Sequence, residues 1–165
     1  MKIKSLSRIV LGLYLLVLLW LVLFKFSADP LSVLAHYQTR SLNLVPFAGA
    51  YRGHLNEMSY NVIAFVPLGL LLAINIKRLN FWRMLAYICT FSVAIEIAQF
   101  VFAIGRTDVT DVITNTLGGF IGLGLYRIGQ RYIDGEKLDR CIVVTTLVLS
   151  TLLLLLRVFV FRVRY

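Results

Sequence analysis

The run IVLGLYLLVLLWLVLF, from Ile9 to Phe24, contains no charged residue and is bounded by Arg8 and Lys25. A helix that crosses the hydrocarbon core of a bilayer needs about 20 mostly apolar residues. The run is slightly shorter, but long basic side chains at its ends reach the headgroups and extend the span. The stretch therefore predicts a first transmembrane helix over residues 8–26.

Composition places the whole chain in the membrane class. Hydrophobic residues make up 59% and charged residues 15% of its 165 residues, whereas soluble domains are about 45–50% apolar and about 25% charged. A soluble globule of this size could not bury so much apolar surface, because small proteins have a high surface-to-volume ratio. Intrinsic disorder is excluded as well, since disordered chains are poor in apolar residues. The sequence predicts a small integral membrane protein with one domain over residues 1–165.

Four more apolar runs follow the first. We predict an all-α, polytopic bundle of about five transmembrane helices, over residues 8–26, 58–77, 83–104, 109–127 and 140–161. Segment 27–57 mixes apolar and polar residues, and we expect it to lie partly inserted at the outer surface of the membrane. The basic, apolar start also resembles a signal peptide cleaved after Ala35, but the length of the run and Lys25 favour a retained helix.

The basic charge fits lipid contacts better than nucleic acid. The chain has 17 Lys and Arg against 8 Asp and Glu, a net charge of +9, and basic residues beside membrane helices face anionic headgroups. With the N-terminus inside, ten of these cations lie inside and seven outside, which predicts that orientation. Arg157, Arg162 and Arg164 in the tail argue against it locally. We expect membrane lipids as partners and no nucleic acid.

Two polar residues lie in the third predicted helix. An ionisable side chain in hydrocarbon costs at least about 2.5–3.5 kcal/mol, so its presence needs a reason. Glu96 and Gln99 are three residues apart and share one helix face. Glu96 also lies nine residues before Gly105, which places it near the middle of the membrane. Two interpretations stay open: a hydrogen-bonded glutamate that ties helices together, or a ligand or proton site.

The fourth predicted helix carries a polar and glycine stripe. Steps of three and four residues place on one face Asp108, Asp111, Asn115, Gly118 and Gly122. Acidic residues at a helix N-terminus are favoured by the macrodipole, and Thr107 or Asp108 can cap it. The Gly118–Gly122 spacing permits close approach of a second helix. We therefore expect Asp111 and Asn115 to face a neighbouring helix, with the Glu96 face opposite.

Polar residues also mark the start of the second helix and the turn before the fourth. Glu57 and Asn61 are four residues apart and share a face. Pro67 leaves the carbonyl of Ile63 without its helical partner, and a kink there would widen a polar cavity. Arg106 in the turn is placed to neutralise nearby carboxylates, with a solvated loop arginine as the alternative.

Together, three helices direct carboxylates and amides towards the outer half of the bilayer. This arrangement predicts a polar pocket that opens outward. The sequence contains no spacing typical of metal ligands, of a nucleotide loop or of an activated nucleophile. We therefore predict no catalytic residue, no metal and no cofactor.

Four stretches carry a resemblance to a known family: SLNLVPF (41–47), NVIAFVPLGLLL (61–72), EIAQF (96–100) and FAIGRTDVTDVITNTLGGF (102–120). They resemble the VanZ family of small bacterial membrane proteins. The resemblance implies that the family motif falls on Asn43, Pro46, Phe47, Asn61, Phe65, Pro67, Gly69, Glu96, Gln99, Asp108, Asp111, Asn115 and Gly118.

The resemblance implies a multi-pass protein of the bacterial cytoplasmic membrane that confers low-level resistance to teicoplanin and related lipoglycopeptides without altering D-Ala-D-Ala precursors. We expect it to bind the antibiotic or a lipid-linked cell-wall component in the outward pocket, and we favour a non-catalytic protein. An intramembrane enzyme or a transporter acting on a lipid-linked envelope substrate remains the alternative. The ligand-binding candidates are Asn43, Glu57, Asn61, Glu96, Gln99, Arg106, Asp108, Asp111 and Asn115.

Overall fold

The computed structural model describes residues 3–23, 40–48, 52–104 and 106–164, with residues 52–54, 106, 157, 158 and 160–164 described by their backbone alone. The described elements are α1 (Ile3–Leu23), β1 (Ser41–Asn43), α2 (Arg52–Asn75), α3 (Phe81–Phe102), β2 (Arg106–Asp108), α4 (Val109–Tyr132) and α5 (Gly135–Arg164). The predicted all-α helical bundle is confirmed, with one short strand pair added to it.

Four of the five described helices are long and apolar enough to cross a membrane: Ile3–Leu23, Leu55–Asn75, Phe81–Phe102 and Gly135–Leu156. The protein is therefore a multi-pass membrane protein. The remaining helix, α4, has 24 residues, enough for about 36 Å at 1.5 Å per residue. Its hydropathy is lower because its buried face carries glycines together with Asp111 and Asn115, and it packs against α2 and α3.

Several helices extend beyond the bounds that the apolar runs predict. Apolar runs end where charged residues begin, but a helix can continue past that point, as the start of α5 shows. Before α5, the Asp134 carboxylate accepts hydrogen bonds from the backbone N–H groups of Glu136 and Lys137, at 3.1 and 3.3 Å. The helix therefore begins at Gly135. Helix α2 begins at Arg52, six residues before the predicted start at residue 58.

The predicted outer segment is described only in part. Residues 40–48 form β1 and a turn, and residues 52–57 belong to α2. Residues 27–39 and 49–51 lie outside the described residues, and so does the alternative cleavage site after Ala35.

Helices α2 and α4 touch through their backbones. A Cβ atom built on Gly122 would overlap the carbonyl oxygen of Val66, and one on Gly118 would overlap that of Val62. From the other side, a Cβ on Gly69 would overlap the carbonyl oxygen of Gly119. The glycine spacing on α4 thus allows the close approach that the sequence predicted.

Helix α1 is fixed to α2 by a buried hydroxyl. The Tyr14 hydroxyl donates a hydrogen bond of 2.6 Å to the carbonyl oxygen of Ala64. Ala64 directly follows Ile63, whose carbonyl loses its helical partner because Pro67 has no N–H. Pro67 itself lines an apolar groove of about 430 Å³ between α1, α2 and α5. The groove next to this proline is therefore apolar, in contrast to the polar cavity that the sequence suggested there.

Removing the Tyr14 hydroxyl is expected to destabilise the bundle. Tyr14→Phe removes a buried hydrogen bond to the Ala64 carbonyl, which costs about 0.5–1.5 kcal/mol. For a chain of this size that corresponds to a fall in Tm of roughly 1–6 °C, measured by thermal unfolding in detergent. Tyr87→Phe is the matched control, because Tyr87 is exposed on α3. Equal Tm values for the two variants would contradict this role for Tyr14.

At the opposite end of α2, an ion pair joins the α2–α3 turn to α5. The Lys77 ammonium lies 2.7 Å from Oδ2 of Asp139, and the Tyr126 hydroxyl donates to Oδ1 of Asp139 at 2.8 Å. Partial burial lowers the pKa of Lys77, but its hydrogen bonds to Asp139 and Tyr126 outweigh this and raise the pKa above the ordinary lysine value. Lys77 is therefore charged at neutral pH.

Candidate functional site

The strand pair brings together two segments that are distant in the sequence. Strands β1 and β2 are parallel, with Ser41 opposite Arg106, Leu42 opposite Thr107 and Asn43 opposite Asp108. Parallel strands need a long crossover connection, and here the connection contains both α2 and α3. We call this end of the bundle, with β1, β2 and the first turn of α4, the strand end.

Asp108 is the centre of the strand end. Its Oδ1 accepts a hydrogen bond of 2.8 Å from the backbone N–H of Thr110 and so caps α4. Its Oδ2 accepts from the Nδ2 of Asn43 at 2.9 Å. Its own backbone N–H donates to Oε2 of Glu96 at 2.9 Å. One buried aspartate therefore joins the β1 segment, α3 and α4.

The loop after β1 is held in a strained turn. The backbone N–H of Val45 donates to the side-chain oxygen of Asn43 at 3.2 Å, and that of Ala48 donates to the carbonyl of Val45 at 3.3 Å. Pro46 occupies the second position of this turn, which suits its fixed φ. Phe47 follows with φ 58°, a value that costs energy for a bulky residue. Its N–H donates to Oγ1 of Thr110 at 3.0 Å, which holds the turn against α4.

Glu96 lies six residues before the end of α3, which is about 9 Å below that end at 1.5 Å per residue. Strand β2 turns back along α3 until the backbone of Asp108 reaches the carboxylate of Glu96. The hydroxyl of Thr107 also donates to the carbonyl of Glu96 at 3.3 Å. The α3–α4 connection is therefore re-entrant, and α4 begins inside the bundle. Backbone groups buried inside the bundle need hydrogen-bond partners, and Glu96 supplies one to the N–H of Asp108.

Asn61 and Asp111 join α2 to α4. The Nδ2 of Asn61 donates to Oδ1 of Asp111 at 2.8 Å, and both side chains are buried. The backbone contact through Gly69, Gly118 and Gly122 lies further along the same two helices. That contact keeps the helices close enough for a short asparagine side chain to reach the carboxylate.

The amides of Gln99 and Asn115 bond away from this cluster. The Nε2 of Gln99 donates to the carbonyl of Val22 on α1 at 3.0 Å. The Nδ2 of Asn115 donates to Oγ of Ser92 on α3 at 2.9 Å. The side-chain oxygens of Gln99 and Asn115 are buried and have no hydrogen-bond partner within the described part of the chain. These two residues tie helices together on either side of the acidic cluster.

The structure brings together five of the predicted candidates: Asn43, Asn61, Glu96, Asp108 and Asp111. Glu57 lies exposed on α2, one turn before Asn61. The backbone of Arg106 pairs with Ser41. The ring of Phe65 is fully buried in the core. Within the described ranges no three His, Cys, Asp or Glu side chains are grouped to hold a metal ion.

Sequence reasoning missed several partners of this cluster. Thr110 was a recognisable candidate, because it directly follows the capping position of α4. Ser92 also gave a signal, since it lies four residues before Glu96 on the same helix face. The carbonyl of Val22 gave no signal in the sequence, because every residue has a backbone carbonyl and nothing marks this one as the acceptor for Gln99. The predicted outward-opening polar pocket stays a prediction. The hydrogen bonds from Asn43 to Asp108, from Asn61 to Asp111 and from the Asp108 backbone to Glu96 run within the cluster.

Comparison with known proteins places the chain in a family. The VanZ/LLP1 family model matches residues 11–130, a range that contains the whole strand end. "Protein VanZ" from Enterococcus faecium is 50% identical over 154 residues, which cover 93% of this chain and 94% of that protein. No solved structure is significantly similar to the chain. This chain belongs to the VanZ family.

Proposed function

We propose that the protein acts in the bacterial cytoplasmic membrane and lowers susceptibility to teicoplanin-type lipoglycopeptides. It does so as a binding protein that holds the acylated antibiotic, or a lipid-linked cell-wall component, at the strand end. The observation that carries the proposal is a loop with exposed apolar side chains fixed on a buried acidic cluster. Its 50% identity to "Protein VanZ" supports assigning this chain the role that the family resemblance implies.

The apolar part of the site is the loop after β1. Leu44, Val45 and Phe47 are 69%, 63% and 47% exposed. The hydrogen bonds from Asn43 to Asp108 and from Phe47 to Thr110 fix the backbone of this loop. Exposed apolar surface on a fixed backbone suits binding of a flexible acyl chain, because little further ordering of the protein is needed. Teicoplanin has such a chain, and vancomycin has none.

The polar part of the site lies beside this loop. Arg40 donates to the carbonyl of Val101 at 3.5 Å, and its guanidinium lies 5.9 Å from the centre of the Phe100 ring. An arginine at the rim is suited to a carboxylate or phosphate of the ligand. Glu96, Asp108 and Asp111 beneath it accept hydrogen bonds. In this proposal they hold the loop and the start of α4 in the geometry that the ligand requires.

The test is antibiotic susceptibility in a sensitive Gram-positive host. We expect the protein to raise the minimum inhibitory concentration of teicoplanin severalfold and to leave that of vancomycin unchanged. Glu96→Gln and Asp111→Asn are expected to lose this protection. Asp134→Asn removes a carboxylate at the other end of the bundle, where asparagine also caps a helix, and is expected to keep it. Protein levels are matched by immunoblotting.

A loop variant separates binding from folding. Val45→Ser makes an exposed side chain polar and is expected to leave Tm unchanged while teicoplanin protection falls. Full protection in both Val45→Ser and Glu96→Gln would exclude the strand end as the site. No protection by well-expressed unmodified protein would overturn the proposed function itself.

A further inference from the structure

A second site is formed at the opposite end of the bundle. There a cleft of about 480 Å³ lies between the start of α1, the end of α2 and the start of α5. Its polar and charged lining consists of Lys4, Ser7, Arg8, Asn75, Lys77, Arg78 and Asp139. Four cations therefore line one cleft together with one carboxylate.

The carboxylate of this cleft is already engaged. Asp139 forms the ion pair with Lys77 at 2.7 Å and accepts the hydrogen bond from the Tyr126 hydroxyl. Lys4, Arg8 and Arg78 form no ion pair with any carboxylate in the described ranges. The cleft therefore keeps an excess of about three positive charges at neutral pH, carried by side chains that are free to bind an anion.

The floor of the cleft is built from hydrogen bonds between α1 and α2. The buried Ser7 hydroxyl lies 3.0 Å from Oδ1 of Asn75, and Nδ2 of Asn75 donates to the carbonyls of Ser7 and Leu71 at 3.3 and 2.8 Å. These bonds fix the spacing between the cations of α1 and those that follow α2. Arg8 on α1 and Arg78 after α2 therefore line the same cleft. This arrangement favours binding of one anion by both side chains.

We propose that this cleft binds the phosphate group of an anionic phospholipid headgroup. Two arginines and a lysine are enough to neutralise the single negative charge of a phosphate diester, and an arginine can bind two of its oxygens at once. Basic pockets between transmembrane helices are known to hold such headgroups. The lipid-facing surface of α1 begins directly beside Arg8, where Ile9, Leu13 and Leu16 are exposed. A lipid whose phosphate occupies the cleft therefore has an apolar surface for its acyl chains.

The test measures lipid binding to the purified full-length protein in detergent by native mass spectrometry. Dioleoyl phosphatidylglycerol is compared with dioleoyl phosphatidylcholine, which has the same chains and no net charge. Arg8→Gln/Arg78→Gln removes two cations of the cleft. Arg83→Gln/Arg131→Gln removes two exposed cations from α3 and α4 that do not line it. The two variants therefore have the same net charge.

We expect phosphatidylglycerol to bind more tightly than phosphatidylcholine, and the cleft variant to bind it about tenfold more weakly. The α3–α4 variant is expected to lose less than about twofold, since distant surface charges are screened. Equal losses in the two variants would overturn the proposal, because they would indicate general attraction to the surface. Glycerol phosphate, which has no acyl chains, is the soluble ligand for comparison. If it raises Tm as much as short-chain phosphatidylglycerol does, the ligand is a free phosphate compound and the lipid assignment is wrong.

Discussion

Gly122→Ala is expected to lower the free energy of unfolding by about 1–3 kcal/mol. The new Cβ would overlap the carbonyl oxygen of Val66, and it would also come within 3.1 Å of the Cα of Gly69. Both neighbours are helix backbone and cannot move aside as a side chain can. Helices α2 and α4 must therefore separate, which lengthens the hydrogen bond from Asn61 to Asp111. Thermal unfolding in detergent measures the effect, as a fall in Tm of roughly 2–10 °C.

Gly124→Ala is the matched control for this change. Gly124 lies two residues further along α4, and a Cβ built there meets no atom within 4 Å. Alanine is favoured over glycine in a helix by about 1 kcal/mol, so Gly124→Ala is expected to raise Tm slightly. The two substitutions are chemically identical and should change Tm in opposite directions. A rise in both would show that α2 and α4 are not in backbone contact.

Asp108→Ala is expected to cost about 2–4 kcal/mol of folding free energy. The substitution removes the cap of α4 and leaves the Nδ2 of Asn43 without its acceptor. It should also loosen the β1 segment, because the side-chain link between Asn43 and the start of α4 is lost while the bond from Phe47 to Thr110 remains. Thermal unfolding reports the stability. Limited proteolysis of the 40–48 loop reports the loosening, as faster cleavage well below Tm.

Two further variants separate the contributions of Asp108. Asp134→Ala removes an exposed cap of α5 and is expected to cost about 0.5–2 kcal/mol without exposing the loop to protease. Asn43→Ala, alone and combined with Asp108→Ala, completes a double-mutant cycle. We expect a coupling of about 0.5–3 kcal/mol. Additive effects would mean that Asn43 and Asp108 do not interact.

The parts of the fold that could be predicted are those that leave a local signal. An uncharged run between basic residues, such as Ile9–Phe24, predicts a membrane helix from its own composition. Steps of three and four residues from Asp108 to Gly122 predict one helix face, and this face does meet α2. The capping role of Asp108 follows from its position directly before the helix. All these inferences use neighbours along the chain.

The strand pair and several tertiary partners leave no such signal. Strands of three residues are too short to show an alternating pattern, and Asn43 and Asp108 are 65 residues apart. The acceptors of Tyr14 and Gln99 are backbone carbonyls, which the sequence does not distinguish from any others. The position of Glu96 near the middle of the membrane stays a prediction. The contact of its carboxylate with the backbone N–H of Asp108 depends on the path of the chain after α3, which leaves no local signal in the sequence.

The pairing of β1 with β2 also determines when this protein can finish folding. During synthesis β1 leaves the ribosome before α2 and α3, and β2 leaves it after them. Both intervening helices must be inserted before the two strands lie on the same side of the membrane. Until then Asn43 lacks its acceptor, and the apolar residues 44–47 have no contact with α4. Closing a long loop costs only slightly more entropy than closing a shorter one. The delay is therefore set by the time that α2 and α3 need to insert into the membrane. A slow step in inserting α3 would therefore prolong the period in which this segment is open to proteases and chaperones.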